Sequence, residues 1–292
     1  MKIVVTGAAG RLGRLTMSDL LAHGHDVTAL DRVSISEPGI ASKIVDLSEP
    51  HELAAAFEGA DAVLHLARKK FPYTSGGFDA ATRTWKTPDV LGDALNFTYN
   101  TGISYNVVAA AFATGIKKLV MGSSLTIYGF YYPSRFIAPD YLPVDERHAL
   151  APQDPYSICK LAGERACDAF ARKSDMQIAS LRFAGISADL TQKNLLERRK
   201  TPLRWAGPLW TYIDVRDAAT VCRLAAERDF TGHESFNICA PNTIMKEPTA
   251  ELAQKYFPGI QLRDTSKGNW SGYDCSKARG MLGFTTRYLL ED

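Results

Sequence analysis

The sequence lacks the cysteine and histidine patterns that mark disulfide frameworks and metal sites. Its five cysteines are odd in number, scattered and without CxxC spacing, and its six histidines show no HExxH arrangement. Both a disulfide framework and a zinc site are therefore disfavoured. We expect buried, reduced thiols and no bound metal.

Long hydrophobic runs and an excess of one charge are also missing. No apolar run approaches the roughly 20 residues that cross a bilayer, and the N-terminal apolar stretch is too short for a signal peptide. The 34 lysines and arginines against 32 acids give a formal net charge of +2. That balance provides no basic field for nucleic acid or an anionic membrane. The absences predict a cytoplasmic protein with neither kind of partner.

A glycine-rich turn between a strand and a helix is the strongest feature that is present. The β-branched run at residues 3–5 reads as a buried strand, and it is followed by Gly7, Gly10 and Gly13 within a turn and helix start. These glycines suit a tight turn, a close approach to a pyrophosphate and a close helix–strand contact. The helix extends from about Leu12 to His23, so the loop is predicted to bind a dinucleotide.

An acidic residue follows at the spacing that such a loop requires. The second strand, Asp26 to Leu30, ends on Asp31, where a carboxylate would accept hydrogen bonds from the adenosine ribose and repel a 2′-phosphate. We predict a preference for NAD, with NADP possible because the adjacent Arg32 can pair with the phosphate. The alternative is a structural turn with a surface aspartate.

Strands and helices alternate along the next hundred residues, which predicts an α/β fold. A third strand, Ala41 to Val45, leads to Asp46, which either accepts from the adenine amino group or caps a loop. Residues 52–57 are predicted as a helix. A fourth strand, residues 62–67, contains His65, for which we expect a structural role.

Residues 68–99 are predicted to be irregular. Their prolines, glycines and aromatic residues favour a lid or binding loop over a disordered surface insertion. A helix is expected from Asn100 to Thr114, followed by a strand from Lys118 to Met121. Asn106 is predicted to hold this helix in register with the helix that begins near Asp154. The small residues Ala109, Ala110 and Ala113 of the same helix are predicted to permit close packing against another helix or to be ordinary buried positions.

A tyrosine and a lysine share one face of a helix that begins with Asp154 and Pro155. Tyr156 and Lys160 are four residues apart, so the ammonium is expected to lower the pKa of the phenol. A phenol tuned in this way can exchange a proton with a carbinol or a carbonyl. Ser124, after the preceding strand, is expected to hydrogen bond the same oxygen.

The motifs together resemble the extended short-chain dehydrogenase/reductases of the NAD-dependent epimerase/dehydratase type, in that family's order. The matching segments are Thr6-Gly7-x-x-Gly10-x-x-Gly13, Asp31, Asp46-Leu47, His65-Leu66-Ala67, Asn100, Asn106-Val107-Val108, Ser123-Ser124-x-x-Ile127-Tyr128-Gly129 and Tyr156-x-x-x-Lys160. Residues 209–219 and 274–284 also resemble segments of the family, and residues 178–183 and 236–238 are predicted as strands.

The resemblance implies a Rossmann-type, doubly wound parallel sheet with a small C-terminal substrate-binding lobe. The core would comprise residues 1–182, with 209–240 returning to it, and the lobe 183–208 and 241–292. The catalytic residues implied are Ser124, Tyr156 and Lys160, and the dimer interface implied is formed by the helices that carry Asn106 and Tyr156. The cofactor-binding residues implied are Gly7, Gly10, Arg11, Leu12, Gly13, Asp31, Arg32, Asp46, Leu47, Leu66, Ala67, Arg68, Asn106, Ser123, Tyr156, Lys160 and Phe183.

Two departures from the family pattern bear on the reaction. Leu125 and Thr126 stand where dehydratases of the family carry an acid pair, which makes dehydration improbable. After Arg182 and Phe183 the chain lacks the Asn and Gly-Pro common in sugar-nucleotide enzymes, and its C-terminal lobe is short. These differences argue against recognition of a nucleoside diphosphate.

Three functions are consistent with the sequence. The first is an NAD(P)-dependent dehydrogenase that acts on a hydroxyl or carbonyl of a sugar-like substrate. The second is an epimerase of sugars or sugar nucleotides that retains its NAD, and the third, less favoured, is a non-catalytic dinucleotide-binding regulator. A basic cluster is a candidate for binding a carboxylate or phosphate of the substrate, or is a solvated surface stretch. It consists of Arg198, Arg199, Lys200 and Arg204.

Overall fold

The computed structural model describes residues 1–69, 78–85, 90–264 and 266–290. In chain order its strands are β1 (Lys2–Thr6), β2 (Asp26–Asp31), β3 (Ile40–Ile44), β4 (Ala62–His65), β5 (Phe78–Asp79), β6 (Thr84–Trp85), β7 (Lys118–Ser124), β8 (Tyr141–Leu142), β9 (Gln177–Phe183), β10 (Ile186–Ser187), β11 (Ile213–Asp214), β12 (His233–Ile238) and β13 (Gln261–Leu262). Its helices are α1 (Arg11–Ala22), α2 (Pro50–Phe57), α3 (Val90–Ala113), α4 (Pro155–Ala171), α5 (Lys193–Arg199), α6 (Val215–Glu227), α7 (Thr249–Tyr256) and α8 (Ser276–Leu282), with a 3-10 helix at Leu125–Tyr128.

A seven-stranded parallel sheet forms the centre of the protein. Its strand order is β12-β9-β7-β4-β1-β2-β3. The chain builds outward from β1 through β2 to β3, and then crosses back to β4 and builds toward β12. Sheets with this order bind ligands outside the carboxyl ends of the strands, where the direction of building reverses. That point lies between β1 and β4.

Alternate residues of the strands enter two separate hydrophobic cores, one on each face of the sheet. In β1, Ile3 and Val5 belong to one core, and Val4 belongs to the other. This is the period of two that a strand imposes on its side chains. The first core also contains Met17 of α1 and Val221 of α6, whereas residues of α2, α3 and α4 enter the second. Helices therefore cover both faces, which confirms the predicted doubly wound fold.

Helix α3 begins ten residues earlier than predicted. The sequence analysis placed residues 90–99 in an irregular segment, but they form the first turns of α3. These turns expose Leu91 and Leu95, which are 84% and 65% accessible. An amphipathic pattern that points apolar residues inward is therefore absent, and periodicity could not identify the helix.

The remainder of the segment predicted to be irregular is only partly described. Strands β5 and β6 pair as an antiparallel hairpin. Residues 70–77 and 86–89 lie outside the described residues, and so do the predicted loop features Phe71, Pro72, Tyr73, Gly76, Gly77 and Pro88.

The C-terminal segment is attached to the core by hydrogen bonds from its backbone amides to side chains. The amides of Arg287 and Tyr288 donate to the carboxylate of Asp217 on α6, and the amide of Leu290 donates to the hydroxyl of Tyr212 at 2.6 Å. Strand β13 pairs with β8. Among the described helices, none combines the length and the apolar character that a membrane crossing requires.

Candidate functional site

The glycine loop joins β1 to α1 at the reversal point of the sheet. Gly7 has φ +71°, and a Cβ on it would lie 2.6 Å from Cα of Ala67. A Cβ on Gly13 would lie 2.3 Å from the carbonyl oxygen of Gly7, so only glycine permits this contact between loop and helix. No side chain caps α1 at Gly10. The amides of its first turn, beginning with Arg11, can therefore receive an anion, as a dinucleotide pyrophosphate requires.

The Asp31 carboxylate lies beside this loop at the end of β2. Its Oδ2 accepts a hydrogen bond from the amide of Ala9 at 3.0 Å, and its Oδ1 accepts one from the amide of Arg32 at 2.7 Å. The carboxylate is thus held at the edge of the loop, where a ribose would be bound, and the exposed Arg32 lies next to it.

Asp46 and Asn106 meet at the loop that follows β3. Asp46 Oδ1 accepts from the amide and hydroxyl of Ser48, and these bonds lower the pKa of its carboxyl. The amide of Asn106 on α3 donates to the carbonyls of Leu47 and Ser48. Asn106 therefore fixes this loop, rather than the register of α3 with α4 that the sequence analysis predicted. Tyr99 also donates to Asp46, at 3.2 Å.

The end of β4 lies against the glycine loop. The carbonyl carbon of Leu66 would be 2.9 Å from a Cβ on Gly7, so Leu66 and Ala67 line the same crevice. The preceding residue, His65, is buried, and its Nδ1 lies 2.8 Å from the hydroxyl of Thr6. Burial lowers the pKa of His65 to about 3. A neutral imidazole that bonds across two strands fits the structural role expected for His65.

Ser124, Tyr156 and Lys160 come together at the carboxyl edge of β7. Ser124 is the last residue of β7, its Oγ accepts from the hydroxyl of Thr126 at 3.0 Å, and it lies close enough to Tyr156 to lower the pKa of the phenol. Asp154 caps α4 by accepting from the amide of Ser157, which places Tyr156 in the first turn. Lys160, one turn later, donates from Nζ to the carbonyl of Gly122 at 2.6 Å. The three residues predicted to be catalytic, Ser124, Tyr156 and Lys160, therefore form one cluster.

The electrostatics of this cluster differ from the expectation. Burial raises the pKa of Tyr156, and the charge that opposes this shift most strongly is the guanidinium of Arg68, while the nearby hydroxyl of Ser124 acts in the same direction as Arg68. Lys160 was predicted to supply that charge, but its Nζ lies 5.9 Å from the ring centroid. Burial also lowers the pKa of Lys160 to about 8.

A network of buried polar side chains lies next to the cluster, and the sequence analysis did not predict it. The hydroxyl of Ser123 donates to Glu164 Oε1 at 2.6 Å, and Arg182 donates to both oxygens of the same carboxylate. Arg182 also donates to the hydroxyl of Tyr128, which donates to Asn237 on β12. The side chain of Ser123 is thus committed to Glu164, which leaves its backbone for any contact with a cofactor. One signal was available, because Glu164 lies one helical turn after Lys160.

The four residues of the predicted basic cluster do not all lie together, although Arg198 and Arg204 both lie over the ring of Trp205. Arg198 lies over the ring of Trp205, with Cζ 4.4 Å from the centroid, and burial lowers its pKa. Arg204 lies 5.0 Å from the ring centroid of Trp85. Arg199 donates to the carbonyl of Ile244, and Lys200 pairs with Glu197 at the surface.

Phe183, a predicted cofactor residue, is buried in the first core.

Comparison with known proteins identifies the family. The model of the NAD dependent epimerase/dehydratase family matches residues 3–239, which carry the glycine loop, the cluster and all seven strands of the main sheet. The chain belongs to this family. Membership confirms the predicted family and its dependence on a nicotinamide dinucleotide, and the glycine cradle described above fits that cofactor.

Three relatives illustrate the range of the comparison. L-arabinose 1-dehydrogenase (NAD(P)(+)) of Haloferax volcanii is 28% identical, over 72% of this chain and 76% of the relative. UDP-glucose 4-epimerase of Corynebacterium glutamicum is 26% identical, over 87% of this chain and 80% of the relative. A short-chain dehydrogenase/reductase superfamily protein from Agrobacterium tumefaciens, solved with bound NAD, superposes with a TM-score of 0.71 and 22% identity, over 99% of this chain and 93% of that one. The last likeness confirms the predicted Rossmann-type fold.

Proposed function

We propose that the protein is an NAD-dependent dehydrogenase that oxidises a hydroxyl or reduces a carbonyl of a carbohydrate-like substrate. The observation that carries the proposal is the cluster of Ser124, Tyr156 and Lys160 at the strand edge that also holds the glycine loop. When bound, the nicotinamide would accept or return the hydride. The relative from Haloferax, a sugar dehydrogenase, supports the assignment.

Each residue of the cluster has a defined task in this proposal. Tyr156 takes the proton from the substrate hydroxyl, or returns it to the carbonyl oxygen. Ser124 donates a hydrogen bond to that oxygen and holds it near Tyr156. Lys160 contacts the nicotinamide ribose. Residues 183–208 and 241–292 are proposed to form the lobe that encloses the substrate.

The remaining cofactor contacts follow the crevice between β1 and β4. Backbone amides of the loop bind the pyrophosphate, Asp31 binds the adenosine ribose, and the loop fixed by Asn106 faces the adenine. Leu66 and Ala67 border the other side. We propose NAD as the preferred cofactor, with NADP as a weaker ligand.

Epimerisation is the alternative that a specific observation favours, since a UDP-glucose 4-epimerase matches over 87% of the chain. The same three residues would serve it, with the cofactor retained between two hydride transfers. Dehydration has no corresponding support. Leu125 and Thr126, which follow Ser124, are buried and carry no acid.

We also propose a homodimer formed through α3 and α4. Both helices expose apolar side chains, including Tyr105 at 54%, Phe112 at 40% and Ile158 at 40%. A second copy would remove this surface from water. Sedimentation that shows only monomer at micromolar concentration would contradict the dimer.

All five cysteines are free, which supports a cytoplasmic location that cell fractionation can test.

A substrate panel tests the proposed function. The purified protein is incubated with aldoses, uronates and sugar nucleotides, and NADH formation and product stereochemistry are measured separately. We expect stoichiometric NADH with one sugar class. Inversion of a carbinol without net NADH would instead identify an epimerase, and absence of both with every substrate class would contradict an enzymatic role.

A further inference from the structure

Arg68 lies against the face of the catalytic tyrosine. It follows β4, and its Cζ is 4.6 Å from the centroid of the Tyr156 ring. Arg68 is exposed, and among the described residues it has no carboxylate partner. A guanidinium in this position is not neutralised by an acid, so its charge acts on the aromatic ring below it.

Lys160 is less suited to supply that charge. Its Nζ is farther from the ring, at 5.9 Å, and it is bonded to the carbonyl of Gly122. Burial lowers the pKa of Lys160 to about 8, and the nearby charge of Arg68 contributes to this shift. Burial therefore favours the neutral form of the lysine, whereas a guanidinium remains charged throughout the working range.

We propose that Arg68 is the cation that stabilises the phenolate of Tyr156, with the hydroxyl of Ser124 beside the phenol and the guanidinium lying on the ring face. This inference rests on the proposed function and assigns the role of Lys160 mainly to the ribose and the Gly122 carbonyl. Because phenolate carries a full negative charge, the cation favours it more than the neutral phenol.

Other groups also act on Tyr156 and are the same in each variant below. Asp154 at the start of α4 and Cys159 on α4 disfavour the phenolate, and Tyr132 lies within electrostatic reach of Tyr156 and Arg68. The charge of Arg198 also acts on Tyr132. A change that follows replacement of Arg68 alone can therefore be assigned to its charge.

A titration without substrate tests the inference. The full-length protein is labelled with ¹³Cζ-tyrosine, and the Tyr156 resonance is identified by its loss in Tyr156→Phe. A cation at this distance shifts a pKa by about one unit when it is solvent-exposed. We therefore expect Arg68→Met to lower the ionised fraction of Tyr156 at a given alkaline pH several-fold, and Arg68→Lys to restore part of it.

Two controls isolate the charge. Arg172→Met removes an exposed arginine at the end of α4 and should leave the titration unchanged. Added salt should narrow the difference between wild type and Arg68→Met. Identical titration of Tyr156 in both proteins, a larger shift in Lys160→Met, or a wild-type Tyr156 that does not begin to ionise below pH 11 would each overturn the inference.

A kinetic readout follows once a substrate is confirmed. In the oxidative direction the rise of kcat/KM with pH should move by about one unit to higher pH in Arg68→Met, since Tyr156 must be ionised to accept the proton. Failure to find a substrate would contradict the proposed function alone, because the titration does not depend on turnover.

Discussion

Glu164 and Arg182 form a buried, bidentate ion pair next to the cluster of Ser124, Tyr156 and Lys160. Arg182 Nη2 lies 2.8 Å from Glu164 Oε2, and Arg182 Nε lies 3.0 Å from Oε1. Their side chains are only 5% and 3% exposed. Because Glu164 belongs to α4 and also accepts from Ser123 on β7, the pair joins α4 to two strands.

Breaking this pair should strongly destabilise the protein. Arg182→Met leaves the Glu164 carboxylate buried without its partner, which typically costs about 3–5 kcal/mol. The double variant Glu164→Gln with Arg182→Met should recover part of that loss. Chemical denaturation measures both. As a control, Glu197→Gln breaks the exposed pair with Lys200 and should change the free energy of unfolding by less than about 1 kcal/mol.

Loss of the phenol should remove turnover while leaving cofactor binding intact. Tyr156→Phe is expected to lower kcat by about 10²–10⁴, the usual contribution of a general acid/base. Lys160→Ala should weaken both turnover and NAD binding. Kinetics and NAD titration separate the two effects, with Tyr105→Phe on α3 as control. If Tyr156→Phe retained most activity, another group would have to carry the proton.

A methyl group in the glycine loop should disrupt the cofactor site. Gly13→Ala would place Cβ 2.3 Å from the Gly7 carbonyl oxygen, so the loop backbone must move. We expect at least a ten-fold weaker NAD affinity and a lower Tm. Gly102→Ala on α3 is the matched control, because its Cβ meets nothing within 4 Å. It should stabilise the helix by roughly 0.5–1 kcal/mol. Unchanged NAD affinity in Gly13→Ala would contradict the assigned cradle.

The charge of Asp31 should determine cofactor preference. Asp31→Asn removes the repulsion of a 2′-phosphate, and the ratio of NADP to NAD affinity should rise roughly ten-fold. Titration of both cofactors into wild type and variant measures the ratio. Asp26→Asn, at the other end of β2, should not alter it. Tighter binding of NADP than NAD by the wild type would show that Arg32 governs the choice.

The buried imidazole of His65 should make the protein sensitive to acid. Its pKa is about 3 in the folded protein and near 6.5 when exposed, so the unfolded chain binds one more proton between these values. Stability should therefore fall as pH decreases from 6.5 to 3, by a few kcal/mol from this group. In His65→Gln the slope of the unfolding free energy against pH should decrease by the equivalent of about one proton. His51→Gln, on the surface of α2, should leave that dependence unchanged.

Local patterns were sufficient to predict much of the fold. The β-branched runs, the glycine spacing and the Asp154-Pro155 helix start were recognised because each signal lies within a few neighbouring residues. The start of α3 was not recognised, since its first turns place Leu91 and Leu95 in solvent. Helices are identified in a sequence by a periodic pattern of apolar residues that face inward, and these leucines do not follow it.

The site was predictable where its residues share one element and not where they meet across elements. The spacing of Tyr156 and Lys160 follows from helical geometry alone. The contacts of Arg68 with Tyr156, and of Arg182 with Glu164, join residues of different elements, and only the packing of the whole sheet brings them together. Sequence reasoning therefore assigned the tuning charge to the nearer residue in the chain.

The order of strands has a consequence during synthesis. Strand β9 is complete at Phe183, but its outer neighbour β12 begins only at His233. Until the ribosome has released residues 184–232 and then β12 itself, β9 is the unpaired border of a growing parallel sheet, with free amides and carbonyls available to another chain. A nascent or truncated chain that ends before β12 is thus the form of this protein most prone to aggregate.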